Sequence, residues 1–351
     1  MTHDAYRRVK RWTLGTLLAL GSVLLLSAGL VYIVDPFEHY RAATFYMPLY
    51  DNQLYCNSGI ARHYDYDAVL LGSSMVENTK ASDLDAGFGV NAVKLPFKGG
   101  YPYNYARAMD IAFDTHTLAS VFYCLDITSY TMPFDRPSNP LPEYLWNGAG
   151  LDDVYYLLNA RVLVDEIGKT LLYNVKGNLP QQPRDAMYAW SEMTFSRESA
   201  LASYDFRSYQ FEMKAPDYFA ERVLQNWQLH LEPYIDAHPE TTFYVYFPPY
   251  SAIYWVLQHD AGNLESQLWA REQLAQRLLA CPNVRLFDFS ARAEWIFDLN
   301  RYTDYSHHDP RMNEETVRAM ASGECAVTEE KQIAQANEAL RDAAATFERP
   351  Y

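Results

Sequence analysis

Basic residues are in short supply. Lys and Arg number 29 against 44 Asp and Glu, a net charge of −15, so the chain lacks the positive excess that would hold DNA, RNA or an anionic lipid surface through a basic patch. Cysteine is scarcer still. The four residues Cys56, Cys124, Cys281 and Cys325 include no two at metal-ligand spacing, which leaves a zinc site without support. No internal repeat is present. Apolar residues, by contrast, make up 49% of 351 positions, which excludes wholesale disorder and allows one large domain or two small ones. Tyrosine is abundant, with 29 copies. Such side chains line carbohydrate or peptide grooves, and equally serve an ordinary core and surface.

Charge is also missing from Trp12 to Val34, directly after Arg7, Arg8, Lys10 and Arg11. That run is long enough to cross a hydrocarbon core of about 30 Å as a helix, and the basic flank predicts a cytoplasmic N-terminus with the remainder exported. A cleaved signal peptide is the rival. "LSAGL" offers small residues for cleavage, but the apolar run continues through "VYIV", which favours an uncleaved anchor. In an exported chain a disulfide is permitted. Cys281 and Cys325 are the candidate pair, and Cys124, inside an apolar run, is expected as a buried thiol.

Beyond the anchor, 35–66 reads as a connecting segment. Five short apolar runs follow, "DAVLLG", "VNAVKL", "ASVFYCLDI", "TTFYVYFPP" and "NVRLFDFS", separated by stretches of helical periodicity. Ser82 is a candidate N-cap for the first helix. This alternation predicts an α/β fold: a three-layer α/β/α sandwich around a five-stranded parallel sheet, spanning 67–325, with an insertion at 130–215. Residues 1–11 form the cytoplasmic tail, 12–34 the transmembrane anchor and 326–351 a polar helical tail.

Two stretches suggest chemistry. In "LLGSSMVENT" a strand ends in Gly72-Ser73-Ser74, which puts a serine at the carboxyl edge of the sheet beside a helix N-terminus. In "RYTDYSHHDPRMNEE", Asp304 and His307 stand three residues apart before the last predicted helix, the spacing of a base with its orienting carboxylate. Taken singly, each is also an ordinary turn or helix cap. A metal reading of His307, His308 and Asp309 lacks an obvious fourth ligand.

Together, Gly-Ser-Ser after the first sheet strand and a late Asp-x-x-His resemble the SGNH (GDSL-like) hydrolase superfamily over roughly residues 65 to 320. The resemblance implies Ser74 as nucleophile, His307 as base and Asp304 as triad acid, with no cofactor and no metal. Gly100, in "LPFKGGYPYNY", matches the glycine whose N–H joins that of Ser74 in the oxyanion hole. The superfamily's Gly-x-Asn-Asp block is not matched: "CLDITSY" stands there, and Thr128, Ser129 or Asn104 are candidates to replace the missing Asn. The anchor adds a likeness to membrane-anchored envelope proteins of the D-alanyl-lipoteichoic acid biosynthesis protein D and alginate acetylation types. That likeness implies an esterase or acyltransferase of the bacterial cytoplasmic membrane facing the periplasm or the cell exterior. Its substrate would be a cell-envelope polysaccharide or its acyl groups, and a multi-pass membrane acyltransferase is a candidate partner. Tyr250, in "YFPPYS", is placed at the site rim, and Trp146, Tyr155 and Tyr156 of the insertion as the wall of a glycan groove. The other reading is a non-catalytic anchored protein that binds glycan or assembles a biosynthetic complex.

Overall fold

Every residue of Ala68–Gly72, Ala92–Pro96 and Ser120–Cys124 is buried. Continuous burial, with no polar alternation, is what a strand covered on both faces requires. The computed structural model, which describes residues 3–177, 179–181, 183–190, 192–206 and 212–350, pairs these strands (β1, β2 and β3) with β4 (Thr242–Phe247), β5 (Val284–Asp288) and β6 (Ala326–Val327) in the order β2-β1-β3-β4-β5-β6. The first five are mutually parallel. β6 is antiparallel, with Leu286 opposite Val327 and Phe287 opposite Ala326. The sheet is therefore mixed and six-stranded rather than purely parallel and five-stranded. The extra strand is two residues long, too short to leave a periodic signal. The strand order reverses direction beside β1, and in open α/β sheets ligands bind beyond the carboxyl ends of the strands at such a switch point.

The chain divides into two compact units. One contains the chain up to His63 together with Leu141–Gln181; the other contains Tyr64–Pro140 and the chain from residue 182 onward. The expected insertion at 130–215 is thus shared between them, and its residues 178, 182, 191 and 207–211 lie outside the described residues.

In the first unit the helix His3–Val34 is long and apolar enough to cross a membrane. It runs through the basic flank without a break. Asp35 stops it with a left-handed backbone, φ 48°. Its carboxylate then accepts the N–H groups of His39 at 3.0 Å and Tyr40 at 2.8 Å and the hydroxyl of Tyr156 at 2.9 Å. Arg41 donates to the carbonyls of Tyr32 and Ile33, satisfying the helix's last turn. The helix Gln53–His63 approaches so closely that a Cβ on Gly59 would lie 2.1 Å from the Phe37 carbonyl oxygen. Residues 35–63 are therefore folded against their neighbours. Trp146 and Tyr156 are buried here, and the Trp146 indole N–H donates to the Leu54 carbonyl. These two rings are interior packing of this unit, not the wall of a glycan groove; Tyr155 is exposed.

In the second unit the last segment is integral. Helix Glu330–Thr346 buries Ile333, Asn337, Leu340, Ala343 and Ala344, and Asn337 accepts from the buried Arg271 at 2.8 Å while donating to the Leu268 carbonyl. The expected polar tail is amphipathic, with one face in the core. None of the four cysteines forms a disulfide, so the anticipated Cys281–Cys325 bridge is absent; Cys124 is the buried thiol expected of it. The N-cap position of helix Ala81–Phe88 is Lys80, which makes no side-chain capping bond. Ser82 lies inside its first turn instead and donates to Asp185 at 2.7 Å. Replacing Leu340, which has no exposed surface, by Ala should destabilise the protein by roughly 2–5 kcal/mol. Replacing the exposed Glu338 should change stability by less than about 0.5 kcal/mol. Chemical denaturation of both variants measures the difference; equal effects would place the last helix outside the core.

Candidate active site

β1 ends at Gly72, where a Cβ would meet that of Cys124 at 2.8 Å and a Val76 methyl at 2.9 Å. Only glycine lets the chain turn this tightly against β3. Ser73 then caps a helical turn, Ser74–Val76, by accepting the Met75 N–H. Ser74 opens that turn, so its N–H is among the donors a helix leaves without an internal partner.

The second stretch is organised by Asp304. One carboxylate oxygen accepts the N–H groups of Ser306 at 2.8 Å and His307 at 2.7 Å. The other faces His307 Nδ1 at 2.7 Å. The loop is closed by bridge pairing of Tyr302 with His308. It leads into helix Pro310–Ser322, capped by Asp309, whose carboxylate accepts the Met312 N–H at 2.7 Å. Arg301 holds that cap through Asp309 at 3.1 Å and Glu315 at 2.7 Å.

The two stretches meet. Ser74 Oγ lies 2.7 Å from His307 Nε2 across 233 residues of sequence. Asp304, His307 and Ser74 thus form one hydrogen-bonded line, with Nδ1 donating to the carboxylate and Nε2 left to accept the serine proton. Burial pushes the Asp304 carboxyl up, but the His307 ring, its charge and the two N–H donors outweigh this and hold it at about 2. The side chains of His307 and Asp304 keep 26% and 30% of their surface, so the line is open to a reactant. Such an arrangement can deprotonate a serine for attack on a carbonyl and return the proton to a leaving group.

Several residues around the line carry no motif. The Trp190 ring stands edge-on to His307, centroids 5.1 Å apart. Its indole N–H donates to the Glu77 carboxylate and its backbone N–H to Asn78 Oδ1. The buried Lys94 of β2 donates to the carbonyls of Glu77 at 2.6 Å, Thr79 at 3.0 Å and Asp185 at 3.0 Å. Burial pulls its amine down to about 7, with the charges of Asp185 and Glu77 opposing. Asn313, on the helix after His307, donates to the Met75 carbonyl at 2.8 Å and to Thr79 Oγ1. The loop after the serine is therefore pinned from both sides. A lysine inside an apolar strand, "AVKLP", was the readable sign of one pin. Trp190 gave none, because its partners are fixed only by folding.

The remaining expected site residues divide differently. The Gly100 N–H donates to the Phe97 carbonyl at 2.7 Å, and a side chain there would strike the Phe97 Cβ at 2.5 Å. Packing and a turn account for this glycine, and its N–H is already engaged. Tyr250 is buried, stacked on Tyr254 with centroids 4.1 Å apart, and its hydroxyl bonds to Asp126. It lies inside the protein and not at a rim. Thr128 Oγ1 pairs with the Tyr254 hydroxyl, and Ser129 Oγ donates to the Asp126 carbonyl. Asp126 also bonds the Ser73 hydroxyl; burial raises its carboxyl in spite of those hydrogen bonds. Asn104 accepts the N–H groups of Tyr101 and Ser138, both at 3.0 Å, while its amide nitrogen has no partner. Of the three substitutes considered for the missing Asn it alone has a spare donor, but it is fully buried. Trp146 belongs to the other unit. His308 is buried, which drives its ring down to about 4 and keeps it neutral. Among the described residues no three His, Cys, Asp or Glu side chains converge on a possible metal position.

Comparison of the chain with protein-family models and with curated proteins finds no match.

Because the folded Asp304 value lies below the unfolded one of about 3.9, its ionised form stabilises the fold above about pH 4, and that contribution disappears as pH falls through about 2. A carboxyl NMR titration should place Asp304 near 2, and in His307→Ala the transition should move upward. No movement would mean that the ring is not what holds it down.

Proposed function

We propose that this chain is a membrane-anchored, exported serine esterase or acyltransferase of the SGNH type, built on a three-layer α/β/α hydrolase scaffold. It would act on acyl groups of a cell-envelope or exopolysaccharide glycan. The observation that carries the reading is the line Ser74 Oγ–His307 Nε2 at 2.7 Å and His307 Nδ1–Asp304 at 2.7 Å. Two ends of the sequence supply it, and it stands where a strand ends at the sheet's switch point. The apolar N-terminal helix with its preceding basic residues supports a single-pass anchor in a bacterial cytoplasmic membrane, with the catalytic unit in the periplasm or outside the cell. A multi-pass membrane acyltransferase is the partner this topology suits. Neither a cofactor nor nucleic acid has a role.

On this reading His307 takes the Ser74 proton as Oγ bonds to the acyl carbon. The proton then passes to the departing alkoxide as the C–O bond breaks, leaving an acyl ester on Ser74. Water or a glycan hydroxyl, deprotonated by the same ring, then bonds to the acyl carbon; the Ser74 Oγ–C bond breaks and the ring returns the proton to Oγ. Asp304 orients the imidazole and balances its transient charge. The Ser74 N–H, at the start of its helical turn, is placed to stabilise the oxyanion; a donor of this kind is worth about 3–4 kcal/mol of barrier. The Gly100 N–H would contribute only after leaving the Phe97 carbonyl.

That engaged N–H favours the second reading, a non-catalytic anchored protein that binds glycan or assembles a biosynthetic complex. Turnover of p-nitrophenyl acetate and labelling by a fluorophosphonate probe separate the two. The acyl-transfer reading predicts that Ser74→Ala abolishes labelling and lowers turnover by roughly 10⁴–10⁶-fold, with His307→Ala close behind. Absence of any Ser74-dependent reaction would select the binding role.

A further inference from the structure

The unit that contains the N-terminal helix exposes a second set of apolar residues. In the segment Leu151–Leu157, Val154 and Tyr155 point to solvent, as does Leu158 just beyond. The helix Ile167–Lys176 repeats the spacing with Leu171, Leu172 and Val175, the last 81% exposed. Both sets fall at i, i+1 and i+4, which is one side of a helix. The other sides are occupied, since Tyr156 of the first helix and Ile167 and Thr170 of the second are buried. These helices therefore have one face turned into the unit and an apolar face turned out. A soluble unit has no use for the second face.

Position identifies what covers it. The short helix Val154–Leu157 and the π-helical turn Val162–Glu166 both pack against the helix His3–Val34. The buried residues of that helix are Val31 and Val34, in its last turn. The contacts are thus made where the chain would leave the bilayer. The anchor's own residues Leu25, Leu26, Leu30 and Ile33 are exposed, and the helix Ile167–Lys176 packs on the π-helical turn that touches the anchor, so exposed apolar side chains occur on the anchor and on the elements linked to its last turn. Arg161 and Lys169 are paired with Glu166, and Lys169 also faces Asp51 at 3.7 Å, whereas Lys176 is exposed beside Val175. A long basic side chain such as that of Lys176 reaches lipid phosphates while its stem lies on apolar surface.

We infer that residues 151–176 form an interfacial element whose outward face beds in the lipid headgroup–acyl boundary beside the anchor. The unit is held to the membrane at two places, by a crossing helix and by a pair of helices lying on the surface. The attraction is burial of apolar side chains in lipid, which an acidic chain can use without a basic patch. This inference rests on His3–Val34 crossing a bilayer, and the test separates the two claims.

The test uses the full chain with Cys281→Ser and Cys325→Ser, leaving only the buried Cys56 and Cys124. Single substitutions Leu171→Cys, Val175→Cys, Lys176→Cys and Leu25→Cys carry an environment-sensitive fluorophore in phosphatidylcholine vesicles. Quenching by doxyl-labelled lipids is compared with quenching by aqueous iodide. Probes at 171 and 175 should be quenched several-fold more by lipid than the probe at 176, at a depth of about 5–10 Å, and the probe at 25 deeper still. Iodide quenching at 171 and 175 with lipid quenching at 25 overturns the interfacial element and leaves the anchor. Protection from both quenchers at 171 and 175 overturns it in favour of a second copy covering the face. Loss of lipid quenching at 25 removes its premise.

Discussion

The carboxylate of Asp304 holds the site together. One oxygen takes two backbone N–H groups of its own loop, so the loop is folded around the charge; the other oxygen is left to aim the His307 ring. Because the charge accepts two backbone N–H groups and faces the His307 ring, with the Ser306 hydroxyl adding a fourth contact at 3.2 Å, it stays ionised far below neutral pH. The ring in turn fixes where Ser74 Oγ can lie. A loop two residues longer or a carboxylate turned outward would leave a serine at a strand end and a histidine on a surface, with no chemistry between them.

Such a line works only if its two halves are held in register. Asn313 and Lys94 do this from opposite sides. Asn313 ties the helix that follows His307 to the loop that follows Ser74, and Lys94 ties the neighbouring strand to the same loop and to the Asp185 carbonyl. Buried polar groups with every donor satisfied are costly to disturb, which makes the loop rigid without enlarging the apolar core. Trp190, fixed by Glu77 and Asn78, stands against the ring. The serine loop therefore sets the position of both Ser74 and the aromatic neighbour of His307.

Much of this was legible before folding. Runs of branched and aromatic residues marked five strands within two or three residues, because strands covered on both faces are mostly apolar; Lys94 of β2 and Arg285 of β5 are charged exceptions. The pairing of Ser74 with His307 was legible only through the resemblance that joins Gly-Ser-Ser to a late Asp-x-x-His; each pattern is local, and neither alone points to the other. What escaped was non-local or short. β6 has two residues and no periodicity. Leu340 and Asn337 sit on a helix that is polar by composition and amphipathic only by face. Trp146 and Tyr250 looked like ligand-facing aromatics, yet aromatics with a polar atom also satisfy themselves inside a core, through Leu54 and Asp126. Gly100 read as an oxyanion donor, whereas the turn and the contact with Phe97 explain it fully.

The central claim is that Ser74 carries an acyl group. Intact-mass analysis of the full chain, quenched in acid soon after mixing with an activated acyl ester, tests it directly when followed by peptide mapping. The account predicts one added acyl group on the peptide containing Ser74, accumulating in the wild type and absent from His307→Ala. An acyl group found on any other residue, or none under conditions where the ester is consumed, would contradict it.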